Sequence, residues 1–208
     1  MHPLVKYPRT PHLPWSESVA KDDIRVVNTD VFVGKNIVVT EKMDGENTTL
    51  TRECCHARSL DSGRHESRSW IKALWQTIKF DIPAGWRICG ENLYATHSIH
   101  YKNLKSYFMV FSIWDENNIA LAWNDTIDIC KSLNLEPVSV LWSGVYDEAM
   151  IKNIKIDFET QEGYVIRNAE QFEFRNFTSN VAKFVRPNHV QTDIHWLNSK
   201  IIPNELSL

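Results

Sequence analysis

A lysine two residues ahead of an Asp-Gly pair, in the run TEKMDGENTTLTRE over residues 40–53, is the first place in this chain where chemistry can be read. The amine of Lys42 attacks a phosphorus or carbonyl centre only when deprotonated, and free lysine titrates near ~10.4. A nucleophilic lysine therefore needs burial or neighbouring cations to bring it down. Lys42 ends an apolar run, NIVVTEK, that can bury its stem. The same residue also reads as a solvated lysine at a hairpin mouth, and K-x-D-G alone is too short and common to choose. In that plainer reading Asp44 serves only the turn, where Asp is favoured for its own backbone bonds.

Further along, residues of the right types recur in a definite order. HARSLDSGR carries Arg58 and Arg64, with Arg68 close behind. CGENLY places Glu91 on a strand, and YFMVFSIWD is an aromatic strand containing Phe111 and ending in Asp115. EGYVIR sets Glu162 at a strand start, and VAKFVRP holds Lys183 and Arg186. Each has an ordinary alternative. Glu91 and Glu162 suit surface pairs, Phe111 suits a core, and Arg58 suits a solvated loop. Lys183 in an apolar strand is harder to dismiss, because lysine is seldom buried unless paired. His97 and His100 lack the third ligand that a zinc site needs, so ordinary polar roles fit them better. The N-terminal KYPRTPHL brings Lys6, Arg9 and His12, whose charge and position suit contact with a triphosphate or an RNA end.

Lysine with Asp-Gly, arginine, glutamate, aromatic strand, Glu-Gly strand and basic strand, in that order over about residues 40–187, resembles the covalent nucleotidyltransferase superfamily of polynucleotide ligases and capping enzymes. Within it the chain looks most like the ATP-dependent RNA ligases, because Asn47 in KMDGEN stands where DNA ligases more often carry arginine. The resemblance implies that Lys42 attacks the α-phosphate of ATP to give a lysine–AMP phosphoramidate, that AMP then moves to an RNA 5′-phosphate, and that a 3′-hydroxyl displaces it. It implies catalytic roles for Lys42, Lys183 and Arg58, with Arg64 as the alternative to Arg58. It places Glu41, Asp44, Gly45, Asn47, Glu91, Phe111, Glu162, Lys183 and Arg186 around the nucleotide, with Phe111 under the adenine. Glu91 and Glu162 would bind the ribose or a metal, and hard oxygen ligands suit Mg²⁺, with Mn²⁺ as a substitute. The expected partners are RNA ends and a partner repair protein. A minimal DNA ligase and a non-catalytic nucleotide- or RNA-binding module on the same fold are the rival readings. The chain departs from the family where many relatives carry a second lysine shortly after Lys183. Arg186 stands nearest, and its planar fork is not equivalent to an ammonium.

The elements that must position these residues are read from periodicity and turn residues. Residues 36–42 and 47–53 read as two strands joined in a hairpin by Asp44-Gly45. Residues 54–68 read as a loop. SRSWIKALWQTIKF has apolar residues at helical spacing, with Ser67 or Ser69 as cap. GWRICGENLY and SYFMVFSIWD read as strands, WNDTIDICKSLN as a capped helix, PVSVLW as a strand and DEAMIKNIK as a short helix. EGYVIRN and NVAKFVR close the series, and DDIRVVNTDVFVG adds a short strand near the start. Helices scattered among strands without a βαβ rhythm predict an α+β fold of mainly antiparallel sheets with flanking helices. The expected organisation is one nucleotidyltransferase domain over 1–208. It comprises an irregular segment at 1–35, a motif-bearing core at 36–187 and a short tail at 188–208, without an appended OB domain. One helix is expected in the tail, with His189, Gln191 and His195 unassigned.

Bulk properties bound the partners. At 208 residues and 43% hydrophobic the chain can bury a full core, and its net charge of −3 gives no global basic field for nucleic acid. Cys54, Cys55, Cys89 and Cys130 form no C-x-x-C, which fits a reducing, cytoplasmic setting. No apolar run approaches the roughly 20 residues of a membrane span, so no membrane is expected, and the N-terminus lacks a secretory pattern.

Overall fold

The computed structural model describes residues 4–17, 23–61, 64–187 and 201–207. The β-branched run at Ile37 to Thr40 favours an extended chain and forms β1 (Asn36–Lys42). It is followed by β2 (Glu46–Leu50), β3 (Cys55–Ala57), α1 (Ser69–Ile78), β4 (Arg87–Asn92), β5 (Phe108–Trp114), β6 (Ile119–Ala120), α2 (Trp123–Ser132), β7 (Glu136–Pro137), β8 (Val140–Val145), α3 (Glu148–Lys152), β9 (Gly163–Asn168), β10 (Phe172–Glu173) and β11 (Val181–Val185). The strands build two sheets. A four-stranded sheet runs β11-β9-β1-β8, and a seven-stranded one runs β10-β6-β5-β4-β2-β3 with β7 beside β5. Apart from the parallel β5–β7 pair, the pairings between these strands are antiparallel. The fold is α+β, as the pattern predicts.

Alternation along the strands sorts side chains to opposite faces. On the small sheet, Ile37, Val39, Tyr164, Ile166, Ala182 and Phe184 pack outward against Leu13, Phe32 and Ile151. On the large sheet, Leu50, Ile88, Phe108, Val110 and Ile113 pack against Ile71 and Ile78 of α1 and Cys130 of α2. The other two faces meet along an inter-sheet seam, the cleft, that is packed by buried Val38, Met43 and Met109 at one side and by Cys89, Trp114, Phe177 and Val181 at the other. Lys42 shares its phase with Val38, Arg167 with Val165, and Lys183 with Val181. All three therefore project from the small sheet into the cleft.

Several sequence expectations are corrected. β1 and β2 are not a hairpin. β1 is paired on both sides, by β8 and β9, and β2 by β3 and β4. The Asp44-Gly45 step therefore carries the chain from one sheet to the other. Gly45 does not take the positive φ that a type I′ hairpin turn would require. It is needed for closeness, since a Cβ there would lie 2.6 Å from the Asn92 carbonyl oxygen. The polar 54–68 segment contains β3, held as an edge by pairing with β2, and a 3₁₀ turn at Glu66–Arg68 capped by His65 rather than by Ser67 or Ser69. α1 and α2 have Arg68 and Ala122 as their N-cap residues, and neither makes a side-chain cap bond. PVSVLW divides between β7 and β8. The short strand expected near residues 23–34 reduces to a single bridge between Arg25 and His12 and a 3₁₀ turn at Asp30–Phe32. The helix expected after Pro187, with His189, Gln191 and His195, falls at 188–200, outside the described residues.

Candidate active site

The crossover from β1 to β2 puts Lys42 at the last position of a central strand, opposite Gly163 of β9. Gly163 has φ +154, and a Cβ there would come within 2.1 Å of the Phe184 carbonyl oxygen. No larger residue fits where β1, β9 and β11 close around Lys42. Glu162 precedes it and is 1% exposed. Its Oε2 accepts a hydrogen bond from Lys42 Nζ in a close ion pair. Glu91 reaches the same place from the large sheet, one strand over from Asn47, and accepts from the Gly45 amide at 3.2 Å.

These charges decide protonation. Burial pulls the Lys42 amine down, but the fields of Glu162, Glu91 and Asp44 outweigh it and hold the amine above the usual lysine range. This reverses the depressed value expected of a nucleophilic lysine. The cause is an excess of carboxylates over nearby cations. Glu91 is pushed up to about 8, first by burial and then by Glu162 and Asp44, against the pull of Lys42. Lys183 is lowered by burial and by the Lys42 charge. The two lysines sense each other, yet it is Lys183 that is driven towards neutrality.

Asp44 does a different job from the turn role available in sequence. Its Oδ2 accepts from the Ser98 amide at 2.8 Å, the Ser98 hydroxyl at 2.7 Å and the Ile99 amide at 2.9 Å, while its own amide donates to the Tyr101 hydroxyl at 2.9 Å. It ties the crossover to the segment after β4. Asn204 clamps that segment from the other side, accepting from the Tyr101 amide at 2.8 Å and donating to the Leu93 carbonyl at 2.8 Å. His97 and His100 lie in this segment, and His100 meets Glu205 at 3.4 Å. Glu41 sits one residue from Lys42 with its carboxyl raised by burial against a bond from Gln161.

Asn47 of β2 turns its Oδ1 into a buried position with no hydrogen-bond partner. An orphaned buried acceptor costs about 1–3 kcal/mol, and this one lies one strand over from Glu91 with capacity to accept from a ligand. Phe111 is the extra residue of a β-bulge, since the register between β4 and β5 shifts from Cys89↔Ser112 to Gly90↔Val110. The bulge explains why Phe108, Val110 and Ile113 all face the helices while Phe111 turns to the cleft. There the ring meets Tyr7 edge-on at 5.1 Å.

The three loop arginines separate clearly. Arg68 is buried in a bidentate pair with Glu46, its Nε lying 2.7 Å from Oε2. It adds no free charge to a basic patch. Arg58 donates from Nε to the Tyr7 carbonyl at 2.9 Å, and Arg64 is exposed. Arg186 donates its amide to the Glu162 carbonyl at 3.0 Å. Its guanidinium turns to the Phe158 carbonyl, and Nε is buried without a partner.

Sequence reasoning missed four residues of the cleft. Tyr7 is wedged between Phe111 and Phe177, its hydroxyl raised by burial despite a bond with Ser112. Arg167, pushed down to about 10 by burial, spends its guanidinium on the carbonyls of Phe111 and Leu121, at 3.3 and 2.8 Å. Its phase in β9 was a usable signal. Asp23 lies 3.4 Å from Lys183, and Tyr101 donates to none of the site acids but receives the Asp44 amide. His12, expected to meet a triphosphate, is fully buried, with both ring nitrogens occupied by Ser16 and Asp23.

Among the described residues no group of three or more His, Cys, Asp or Glu side chains forms a metal cage. Two carboxylates beside a single amine still suit a hard divalent cation, which commonly takes one or two carboxylates and completes its shell with water and substrate phosphates. No helix among the described residues is long and apolar enough to cross a membrane, and the four cysteines are free.

Known structures share this fold. An archaeal ATP-dependent RNA ligase superposes with TM-score 0.59 at 14% identity, covering 88% of this chain and 48% of its own. An RNA ligase of Naegleria gruberi with PPi gives 0.55 at 17% identity, covering 88% and 61%. A lysine-to-alanine variant of that enzyme with ATP and Mn gives 0.53 at 16%, covering 76% and 51%. At these identities the likeness shows the fold, and the chain spans roughly half the length of these ligases. No curated protein sequence matches the chain. The RNA ligase family model matches residues 35–185, and the chain belongs to the RNA ligase family.

Proposed function

We propose that this chain is the nucleotidyltransferase domain, over 1–208, of an ATP-dependent RNA ligase that works through a lysyl-AMP intermediate. The observation that carries the reading is the Lys42–Glu162 ion pair at the sheet-to-sheet crossover, with Glu91 and Lys183 within electrostatic reach. The orphaned Asn47 Oδ1 on the facing sheet supports it, as do family membership and a fold shared with ligases described with ATP, PPi and Mn.

Lys42 begins as an ammonium and must lose one proton before its lone pair can attack. Glu162, already hydrogen bonded to Nζ, holds the amine in place while that proton leaves to solvent. Lys42 Nζ then bonds to the α-phosphorus of ATP as the bond to the pyrophosphate oxygen breaks. Displacement at phosphorus depends mainly on positioning and charge neutralisation. Lys183, projecting from the next strand but one, meets the charge on the α-phosphate oxygens. Glu91 and Glu162 would hold Mg²⁺ or Mn²⁺, which supplies positive charge to the phosphate oxygens. Asp44 fixes the crossover, so that Lys42 keeps its direction, and Asn47 Oδ1 accepts from the nucleotide or the RNA end. Phe111 stacks the adenine, which shares the ring with Tyr7. AMP then passes to an RNA 5′-phosphate, and a 3′-hydroxyl displaces it. RNA ends are the substrate, with Arg58 or Arg64 contacting phosphate, Arg186 near the leaving group, a repair protein as partner and the cytoplasm as the setting.

Incubation with ATP labelled at the α-phosphate and Mg²⁺ tests this. The expected result is a labelled protein band, acid-labile and alkali-stable, followed by sealing of 5′-phosphate RNA nicks in preference to DNA nicks. Absence of label under both Mg²⁺ and Mn²⁺ would remove the reading, and preferential sealing of DNA would move it to a DNA ligase.

A further inference from the structure

Lys183 is 9% exposed and is held at the edge of its own sheet by a stretch of chain about 160 residues away in sequence. Residues 11–13 run along the edge of β11. The Lys183 amide donates to the Pro11 carbonyl at 2.8 Å, and its carbonyl accepts from the Leu13 amide at 2.8 Å. His12 is tied on its other side too, its amide donating to the Ile24 carbonyl at 2.6 Å and its carbonyl accepting from the Val26 amide at 2.9 Å. Residues 11–13 and 24–26 therefore extend the small sheet beyond β11, and the extension places one imidazole and one carboxylate beside Lys183.

The polar contacts form a chain. The Val185 amide donates to Ser16 Oγ at 3.0 Å, Ser16 Oγ meets His12 Nδ1 at 2.8 Å, and His12 Nε2 meets Asp23 Oδ2 at 2.8 Å. The same oxygen receives Lys183 Nζ at 3.4 Å. With the Ser16 hydroxyl donating to Nδ1, the imidazole is neutral and donates from Nε2 to Asp23. That tautomer turns the carboxylate towards the lysine. Arg9 lies 3.9 Å away at Oδ1 and is itself 43% exposed, so it is the looser partner, and Arg25, whose charge opposes a protonated His12, spends its guanidinium on the Pro14 and Ser16 carbonyls.

We propose that His12 and Asp23 are positioning residues for the adenylation step, holding Lys183 Nζ in place beside Lys42. The proposal rests on the lysyl-AMP reading above. An orienting carboxylate fixed by a buried imidazole repeats the logic by which an outer hydrogen bond sets a working group's direction. It also answers an electrostatic need. The groups facing Lys183 are Lys42 from β1, Glu162 from the start of β9, and Asp23, His12 and Arg9 from the N-terminal segment. Burial and Lys42 push Lys183 towards neutrality, while Asp23 and Glu162 oppose them. A neutral Lys183 cannot stabilise a phosphate, so Asp23 keeps the working charge while setting its direction.

The test uses the full chain, with Asp23→Asn and Asp23→Glu compared with wild type. Single-turnover adenylation would be followed from about pH 6 to pH 9.5 over a range of ATP concentrations. Side-chain NMR of ¹⁵N-lysine protein, with the Lys183 signal assigned by Lys183→Arg, would follow the amine without ATP. Asp23→Asn should lower the adenylation rate about 10- to 100-fold, with a smaller change in apparent ATP affinity. The high-pH limb of the rate and the Lys183 amine titration should both move down by about one pH unit. Asp23→Glu, keeping the charge but displacing it, should restore most of the limb and part of the rate. A wild-type pH profile and an unmoved Lys183 titration in folded Asp23→Asn would overturn the proposal. Should Asp23→Asn fail to fold, a full wild-type rate in Asp23→Glu would overturn it, and a reduced rate with the limb in place would support it. If wild-type protein takes no label from ATP, the ligase reading fails, while the NMR arm still reports whether Asp23 holds Lys183.

Discussion

The two ends of the inter-sheet cleft both bury polar groups and treat them oppositely. At the crossover end, Lys42 and Glu162 pair with the lysine side chain still 21% exposed. Glu91 is left as a surplus acid, and Asn47 holds an acceptor with nothing to receive. At the Tyr7 end, Arg167 is only 4% exposed and its donors reach backbone carbonyls. The Tyr7 hydroxyl has Ser112, and the rings of Trp114, Phe172 and Phe177 close around them. The closed end has its polar groups satisfied by the fold. The crossover end has charge and hydrogen-bonding capacity to spare, and a phosphate-bearing ligand with a divalent cation is the chemistry that would use them. Stability should therefore be concentrated at one end and activity at the other.

The largest test of that contrast is Lys42→Ala, expected to abolish AMP labelling while leaving the melting transition close to wild type. Lys42→Arg should fail equally, because a guanidinium stays protonated at any working pH. Label of unchanged yield in either variant would take the nucleophile away from the crossover. Next come Glu162→Ala and Lys183→Ala, each expected to slow adenylation by about 10²–10³-fold, the usual scale for removing one electrostatic group at a reacting centre. The pH dependence follows from the raised Lys42 amine. Its ionised form predominates below its folded-state value, and only the neutral form attacks, so adenylation should rise with pH until Lys183, whose charge the α-phosphate needs, loses its proton. Glu162→Gln removes the leading stabiliser of the ammonium, so the rising limb should move to lower pH even as the plateau falls. A limb that stays put would mean that Glu162 does not set the charge on Lys42.

How much of this contrast was legible in the sequence depended on range. β1 was readable to the residue, because Ile37, Val38 and Val39 are β-branched in an unbroken run. Lys42, Glu91, Glu162 and Lys183 stood out as polar residues at strand ends or within apolar strands, and the fold does bring them together. The hairpin between β1 and β2 was misread because Asp-Gly satisfies local turn chemistry equally well, and only pairing with β8 and β9 on both flanks of β1 excludes it. The Phe111 bulge left no local mark, since the extra residue shows only against the register of β4. The closed end was almost invisible. Tyr7 lies in an irregular proline-rich stretch, and its partner Phe111 is a contact of long sequence separation that no periodicity encodes; the same holds for Asp23 and Lys183 at the crossover end. Nothing local separates Arg68 from Arg58 and Arg64, because its mate, Glu46, lies 22 residues away.

A smaller effect sharpens the contrast through stability. Glu91 has its pKa raised from the ordinary 4.5 to about 8. The folded state therefore binds its proton more tightly than the unfolded chain does. By linkage, its contribution to stability is fully present below 4.5 and is lost as pH rises through about 8. Glu91→Gln, which mimics the protonated acid, should match wild type at low pH. Above pH ~8.5 without added metal it should be more stable, on the order of 1–2 kcal/mol. Urea unfolding at the two pH values measures the difference. The same variant should adenylate poorly, so gain of stability with loss of activity would mark Glu91 as belonging to the open end. Equal stability at both pH values would show that the acid is already compensated.

The smallest effects compare one hydrogen-bonding atom from each end. Tyr7→Phe removes a hydroxyl that has a partner and leaves buried Ser112 without it, which should cost about 1–2 kcal/mol. Adenylation should stay within about threefold, since no charge near Lys42 changes. Asn47→Ala removes an Oδ1 that has no partner, so the desolvation it suffers in the folded state is relieved. That gain offsets the lost packing of the amide. Stability should therefore remain within about 0.5 kcal/mol of wild type. Its acceptor is spent only when ligand arrives, so labelling or nick sealing should fall by about tenfold or more, the cost of one hydrogen bond realised in the complex. Thermal melts and single-turnover labelling on the two variants give four numbers. The expected pattern is crossed, with Tyr7→Phe moving the melt and Asn47→Ala moving the chemistry. An Asn47→Ala protein that melts well below wild type would mean that this amide is part of the frame, and the boundary between the two ends would then have to be drawn closer to Lys42.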